Sequence, residues 1–185
     1  MPIVWTEDAA ANRLLETDPL ALLIGLVLDQ QVKMEKAFAG PYELKERLGH
    51  LDVHKIAAMD PEKLGAVFRE RPALHRFPGS MATRVQALCQ VIVKEYGGDA
   101  GSVWGQARDG DDLAARIKKL PGFGEMKVKI LVAVLAKRFG VKPRGWEKHA
   151  ANWHTVADVD SVETMAQARE VKREMKAAKS KPAKA

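Results

Sequence analysis

The sequence predicts an all-α fold, and three observations lead to this prediction. Apolar residues recur at helical spacing, Asp-Pro pairs and glycines mark where the segments start and stop, and no stretch alternates β-branched with polar residues. The chain has 185 residues, 46% hydrophobic and 29% charged, which is enough to bury a core. We therefore expect one domain over residues 1–175, with two helical lobes around a cleft, and a basic, disordered tail over 176–185.

The first half of the chain contains the most apolar predicted helix. Residues 20–28 carry no polar side chain, and Asp18 with Pro19 supplies an N-cap and a first helical residue. Asp29 ends this run, which is far shorter than the roughly 20 residues of a membrane span. The run is therefore predicted to be a buried helix. Two further helices are predicted, from Gly40-Pro41 to Gly49 and from Asp60-Pro61 to about Glu70.

Glycines and acidic residues delimit the predicted helices of the second half. A core helix over 82–96 is expected to close at Gly97. Asp111 opens a helix that ends near Lys119, with acids first and lysines last, as the helix macrodipole favours. The remaining helices are predicted at 130–139, before Gly140, and after a capping-box-like pair, Asp160 and Glu163.

Between two of these helices lies the segment Leu120-Pro121-Gly122-Phe123-Gly124, whose glycines permit a tight turn and a close approach of backbone to a ligand. Residues 116–144 contain nine Lys or Arg and one acid, and the last ten residues add four lysines. Backbone N–H groups at such a turn bind phosphate oxygens, and flanking lysines add a salt-dependent attraction. The alternative is a plain helix connection with solvated lysines, and the charge asymmetry favours phosphate binding.

The segment 120–127 resembles the hairpin of the helix-hairpin-helix base-excision DNA glycosylases. Residues 22–31 are similar to the helix of that family that ends in a glutamine inserted into the duplex. Residues 77–85 are similar to the loop and helix start that lie between that glutamine and the hairpin. The whole chain resembles a short bacterial group of this superfamily without an iron–sulfur cluster.

The resemblance implies a monofunctional DNA glycosylase of base-excision repair, which flips a damaged or modified base out of the duplex and hydrolyses its N-glycosidic bond. The alternative is a non-catalytic helix-hairpin-helix DNA-binding protein. Either way the expected partner is double-stranded DNA, bound by a monomer in the cytoplasm, associated with the nucleoid. The resemblance implies DNA contacts at Gln31, Leu120, Gly122, Gly124, Lys127 and Lys129, and a base pocket at Gln30 and Trp146.

Hydrolysis of an N-glycosidic bond calls for a carboxylate near the sugar. In the family this is an aspartate some twenty residues beyond the hairpin, and no aspartate occupies that region here. Two candidates follow. Glu147 is the nearest acid beyond the hairpin helix and is placed first, and Asp29 stands beside the two glutamines.

Enzymes of this family that also cut the strand carry a lysine two residues after the second hairpin glycine. That position is Met126, so no efficient lyase step is expected, and Lys127 is interpreted as a phosphate contact. The single cysteine, Cys89, excludes an internal disulfide and a four-cysteine iron–sulfur site. No cofactor or metal centre is expected, although the resemblance allows a monovalent cation at the hairpin. The acidic N-terminal segment is unlike a signal peptide.

Overall fold

The structure is a computed structural model that describes residues 2–180, and all of its regular elements are helical. The helices are α1 (Ala9–Thr17), α2 (Pro19–Leu28), α3 (Met34–Leu48), α4 (Val53–Ala58), α5 (Pro61–Arg69), α6 (Pro78–Tyr96), α7 (Ser102–Gly105), α8 (Gly110–Lys118), α9 (Glu125–Phe139) and α10 (Val162–Ser180). Two 3₁₀ turns, Trp146–His149 and Val156–Asp158, lie between α9 and α10. This confirms the predicted all-α fold.

The helices pack in two groups. In the first, α1 and α3 cover α2, and α6 packs on α2, α4 and α5. In the second, α8 and the two 3₁₀ turns pack on α9, and α10 packs on the second 3₁₀ turn. The centre of the first group is α2, whose residues 20–28 are all buried, and the centre of the second is the apolar side of α9. No helix within residues 2–180 is long and apolar enough to cross a membrane.

Several helix ends lie where the sequence places them. The Asp18 carboxylate accepts hydrogen bonds from the N–H groups of Leu20 and Ala21, at 2.9 and 3.4 Å, and Asp60 caps α5 in the same way. Helices α3, α6 and α9 end at glycines with left-handed φ angles of 76°, 60° and 69°. Cys89 is fully buried on α6, and burial raises the pKa of its thiol to about 12.

The predicted start of α3 is wrong, because the helix begins at Met34 and contains Pro41. A Cβ atom on Gly40 would lie 2.5 Å from Leu28 Cδ1, so only glycine lets α3 approach α2 this closely. The Gly-Pro pair therefore marks a helix crossing. From the sequence pattern alone, the same pair was predicted to start a helix.

The last helix also differs from the prediction. Its cap is Ser161, which accepts from the Thr164 N–H and whose own N–H donates to the Thr164 hydroxyl, whereas the sequence favoured Asp160 and Glu163. The helix continues to Ser180, although a disordered tail was expected from residue 176. Alanine and lysine, which dominate residues 176–179, are strong helix formers. The rest of the predicted tail, 181–185, lies outside the described residues.

Candidate active site

The hairpin between α8 and α9 is anchored by two buried apolar side chains. Leu120 and Phe123 are 3% and 4% exposed, and the Phe123 N–H donates to the Leu120 carbonyl at 3.2 Å. Gly122 has a φ of 85°, and a Cβ on it would lie 3.3 Å from Val27 Cγ2. The first hairpin glycine is thus required by the backbone conformation and sits directly against the end of α2.

The second hairpin glycine has a different reason to be there. Gly124 has a φ of −77°, which any residue adopts, and a Cβ on it would meet no other atom within 4 Å. It is the N-cap of α9 and has no side chain that could accept a hydrogen bond. The first backbone N–H groups of α9 therefore face outward without a capping side chain. This exposed helix start can receive a phosphate oxygen, as expected of a DNA-binding hairpin.

The turn after α2 is held by a buried histidine. His75 Nε2 lies 3.1 Å from the Leu28 carbonyl and 2.9 Å from the Gln30 carbonyl, while Nδ1 accepts from the Phe77 N–H at 3.0 Å. The two carbonyls only accept, so we assign the ring proton to Nε2. Burial lowers the pKa of His75, which favours this neutral form.

The two glutamines of this turn point to different surroundings. The Gln30 amide donates to the Val27 carbonyl at 3.0 Å and accepts from Arg84 at 3.0 Å, so this side chain is tied down. Gln31 is exposed and has a φ of 56°, the single positive value among non-glycine residues from 2 to 180. Phe77, fixed to the same histidine, is 40% exposed and packs under Arg76. Two segments that His75 joins, the turn after α2 and the residues before α6, therefore present an exposed amide and an exposed ring.

A cavity of about 260 Å³ lies between the two helix groups, next to the hairpin helix. Its walls are mostly apolar and come from α2, α3, α9, α10 and the segment before the second 3₁₀ turn. Its polar side chains are four lysines together with Asp29, His154 and Thr155. Its lining includes Asp29, Met126, Lys127, Trp153 and Lys172.

Lys127 points into this cavity. Its Nζ donates to the Val27 carbonyl at 3.1 Å, and the side chain is half-buried. Burial lowers the pKa of Lys127 to about 8, although nearby Asp29 acts in the opposite direction. The sequence interpretation made this lysine a phosphate contact, which stays a prediction, and the structure places its amine at the cavity wall.

Asp29 is the acidic side chain of the cavity. It is the C-cap of α2, and its carboxylate accepts a hydrogen bond from Lys172 Nζ of α10 at 2.5 Å. The side chain is 9% exposed. A carboxylate, two amines and apolar walls therefore meet at the point where the hairpin helix contacts α2.

The structure does not bring the other carboxylate candidate to this cavity. Glu147 lies exposed in the first 3₁₀ turn, which packs against α8. Trp146 is half-buried in the same turn, where the backbone passes so close to Gly110 that a Cβ there would lie 2.6 Å from Trp146 N. Lys129 belongs to this side as well, because its carbonyl accepts from the Ala151 N–H at 2.9 Å.

No group of three or more His, Cys, Asp or Glu residues in the described part of the chain could hold a metal ion. A monovalent cation at the hairpin stays a prediction.

Sequence reasoning missed three residues of this site. Lys172 is 143 positions from Asp29, and no local pattern connects them. Phe77 falls in the stretch 77–85 without a role of its own, and His75 belongs to no motif of the sequence. An aromatic residue directly before Pro78 in a polar loop was the available signal for Phe77.

The comparison with protein families agrees with this geometry. The model of the HhH-GPD superfamily base excision DNA repair proteins matches residues 24–181, a span that runs from α2 through the hairpin and into α10. The chain therefore belongs to the HhH-GPD superfamily of base excision DNA repair proteins, a family that binds DNA. No significant match was found among curated proteins or among solved structures.

Proposed function

We propose that this protein is a monofunctional DNA glycosylase in which Asp29 is the hydrolytic carboxylate. The observation that carries the proposal is the position of Asp29 in the cavity beside the hairpin helix, with Lys172 fixing its orientation. The family supports a role in base excision repair, and the cavity supports a reaction on a base turned out of the stack.

In the proposed reaction the bond between the base and C1′ of the sugar breaks and the base leaves with the bonding electron pair. Positive charge develops on the sugar, and the Asp29 carboxylate stabilises it. Water then attacks C1′ and gives a proton to the carboxylate, which leaves an abasic site. The departing base takes up a proton from solvent, and the carboxylate returns its proton to solvent, so that one water is consumed in total.

The hairpin and the turn after α2 have separate tasks in this proposal. The N–H groups at Gly124 and the first turn of α9 bind a phosphate and set the position of the strand. Exposed Gln31 and Phe77 fill the gap that the extruded nucleotide leaves in the duplex. Trp153, in the cavity wall, offers a flat apolar surface to the base.

A non-catalytic DNA-binding protein is the second candidate. It is favoured by one observation, the lack of an aspartate in the region some twenty residues past the hairpin where the family carries its carboxylate. The two candidates share the hairpin and differ in what Asp29 does.

A panel of duplexes tests the proposal, each with one uracil, hydroxymethyluracil, hypoxanthine, alkylated purine or oxidised guanine. We expect abasic sites from at least one lesion, with strand breaks only after heat or alkali, because Met126 occupies the lyase position. DNA binding without release of any base would favour the second candidate.

Borohydride added during turnover checks the monofunctional part separately. A trapped covalent adduct would show an amine attacking the sugar. Lys127, whose amine lies in the cavity, would then be the residue to replace.

A further inference from the structure

Helix α10 carries a stripe of four basic residues along one face. The members are Arg169, Lys172, Lys176 and Lys179, and their spacing of three, four and three residues keeps them on the same side of a helix. The three lysines line the cavity, together with Ala168 and Met175 from the same face. The stripe therefore runs along the rim of the cavity.

The inner half of the stripe is neutralised and the outer half is not. Arg169 pairs with Glu35 of α3, and Lys172 pairs with Asp29 at the end of α2. Within residues 2–180, neither Lys176 nor Lys179 has an acidic partner within 4.0 Å. The two inner ion pairs hold α10 in place, whereas the two outer lysines lie at the cavity mouth without an acidic counterion.

The two sides of the cavity are both suited to phosphate. On one side lies Met126 in the first turn of α9, directly after the open backbone at Gly124. On the other side lie Lys176 and Lys179 on a folded helix. A strand that is anchored at the hairpin and places one nucleotide in the cavity must leave the cavity over another wall. Helix α10 is the positively charged wall opposite the hairpin.

We propose that α10 is a second DNA-backbone contact, in which Lys176 and Lys179 bind phosphates of the strand that supplies the extruded nucleotide. This inference rests on the proposed function, because it assumes that a nucleotide enters the cavity. The contact sets the path of the strand and reads no base. Lys176 and Lys179 lie on a folded helix, whereas the sequence predicted that they belong to a disordered tail.

The test measures the salt dependence of DNA binding by the full-length protein. The variant carries Lys176→Gln and Lys179→Gln and leaves Lys172 intact, so that Asp29 is undisturbed. The matched control carries Lys63→Gln and Lys94→Gln, which remove the same charge from exposed positions on α5 and α6, away from the cavity. Fluorescence anisotropy would follow binding to a duplex with one tetrahydrofuran abasic analogue across a potassium chloride series.

Each phosphate contact contributes about 0.9 to the slope of log affinity against log salt. We expect the α10 variant to lose about two from this slope and the control variant to keep the wild-type slope. Equal slopes for the two variants would overturn the α10 contact. If wild-type protein binds the duplex and releases a base from a lesion duplex while the two slopes are equal, the proposed function holds and only the α10 contact fails. If wild-type protein binds none of the duplexes, both proposals fail.

Discussion

The hairpin and the cavity lie against each other but are built in different ways. The hairpin is five consecutive residues, and the left-handed backbone at Gly122 already defines its turn. The cavity draws its lining from four helices and an irregular segment, and its ion pair joins residues 143 positions apart. The part of this protein that is proposed to bind phosphate is thus local in sequence, whereas the part proposed for chemistry exists only once the chain has folded.

The largest expected effect separates the two carboxylates. Asp29→Asn should lower the single-turnover rate of base release by about 10²–10⁴-fold, the contribution of a positioned acid–base group. Glu147→Gln is the matched change on an exposed residue outside the cavity and should leave the rate unchanged. Rapid-quench kinetics on a confirmed substrate would measure both.

Loss of ionic contact with Lys172 accompanies the Asp29 change, so thermal unfolding must show that the variant is folded. If Asp29→Asn keeps the full rate, Asp29 is not the catalyst. If only Glu147→Gln lowers the rate of base release, the catalytic carboxylate lies on the other side of α9.

The next effect contrasts the two hairpin glycines. Gly122→Ala should lower the free energy of unfolding by about 1–2 kcal/mol, because a left-handed backbone is unfavourable for alanine. Gly124→Leu should leave stability nearly unchanged and weaken DNA binding, because its side chain fills open space at the helix start. Urea denaturation and anisotropy measure the two quantities. Unchanged affinity in Gly124→Leu would show that the phosphate does not approach there.

An effect about as large as that of Gly122→Ala, but confined to alkaline pH, concerns the cavity amine. The pKa of Lys127 is lowered to about 8 in the folded state from 10.5, so between these pH values the unfolded chain binds the extra proton. Stability therefore gains a favourable contribution as pH rises through this window. As pH rises through this window, we expect the free energy of unfolding of wild type to increase by about 1–2 kcal/mol relative to that of Lys127→Met. This is less than the full pKa shift implies, because solvent screens a half-buried amine.

Lys94→Met, at an exposed position on α6, is the control for this measurement. Urea unfolding of the three proteins from pH 7 to pH 10 would give the comparison. A constant difference between wild type and Lys127→Met over that range would mean that the amine is not desolvated.

Features set by a few neighbouring residues were predictable from the sequence. The Asp18-Pro19 start of α2, the glycine ends of α6 and α9, and the all-α class follow from local chemistry, and the structure confirms them. The family was also predictable, because its motif is a contiguous hairpin. The structure places Leu120, Gly122 and Gly124 in that hairpin, and their contact with DNA stays a prediction.

Features that depend on distant contacts were not predictable. Gly40-Pro41 resembled a helix start because its actual reason, close packing on Leu28, involves another helix. Lys127 was interpreted as a phosphate contact, and its place at the cavity could not be predicted, because one helix position changes direction by about 100° and the sequence does not say which side of α9 faces α2. Glu147 was placed first on distance along the chain, which carries no information about the cavity.

One residue, Val27, is contacted by both regions at once. The Gly122 backbone packs on its side chain, while its carbonyl accepts from Lys127 and, at 3.0 Å, from Gln30. Asp29 follows two residues later at the end of a helix that is buried along its whole length. In the proposed complex, the phosphate bound at the hairpin and the Asp29 carboxylate are therefore held at a nearly fixed distance. That distance would select which sugar of the bound strand reaches Asp29, so a nucleotide inserted or deleted between the anchored phosphate and the lesion should bring the wrong sugar to the carboxylate.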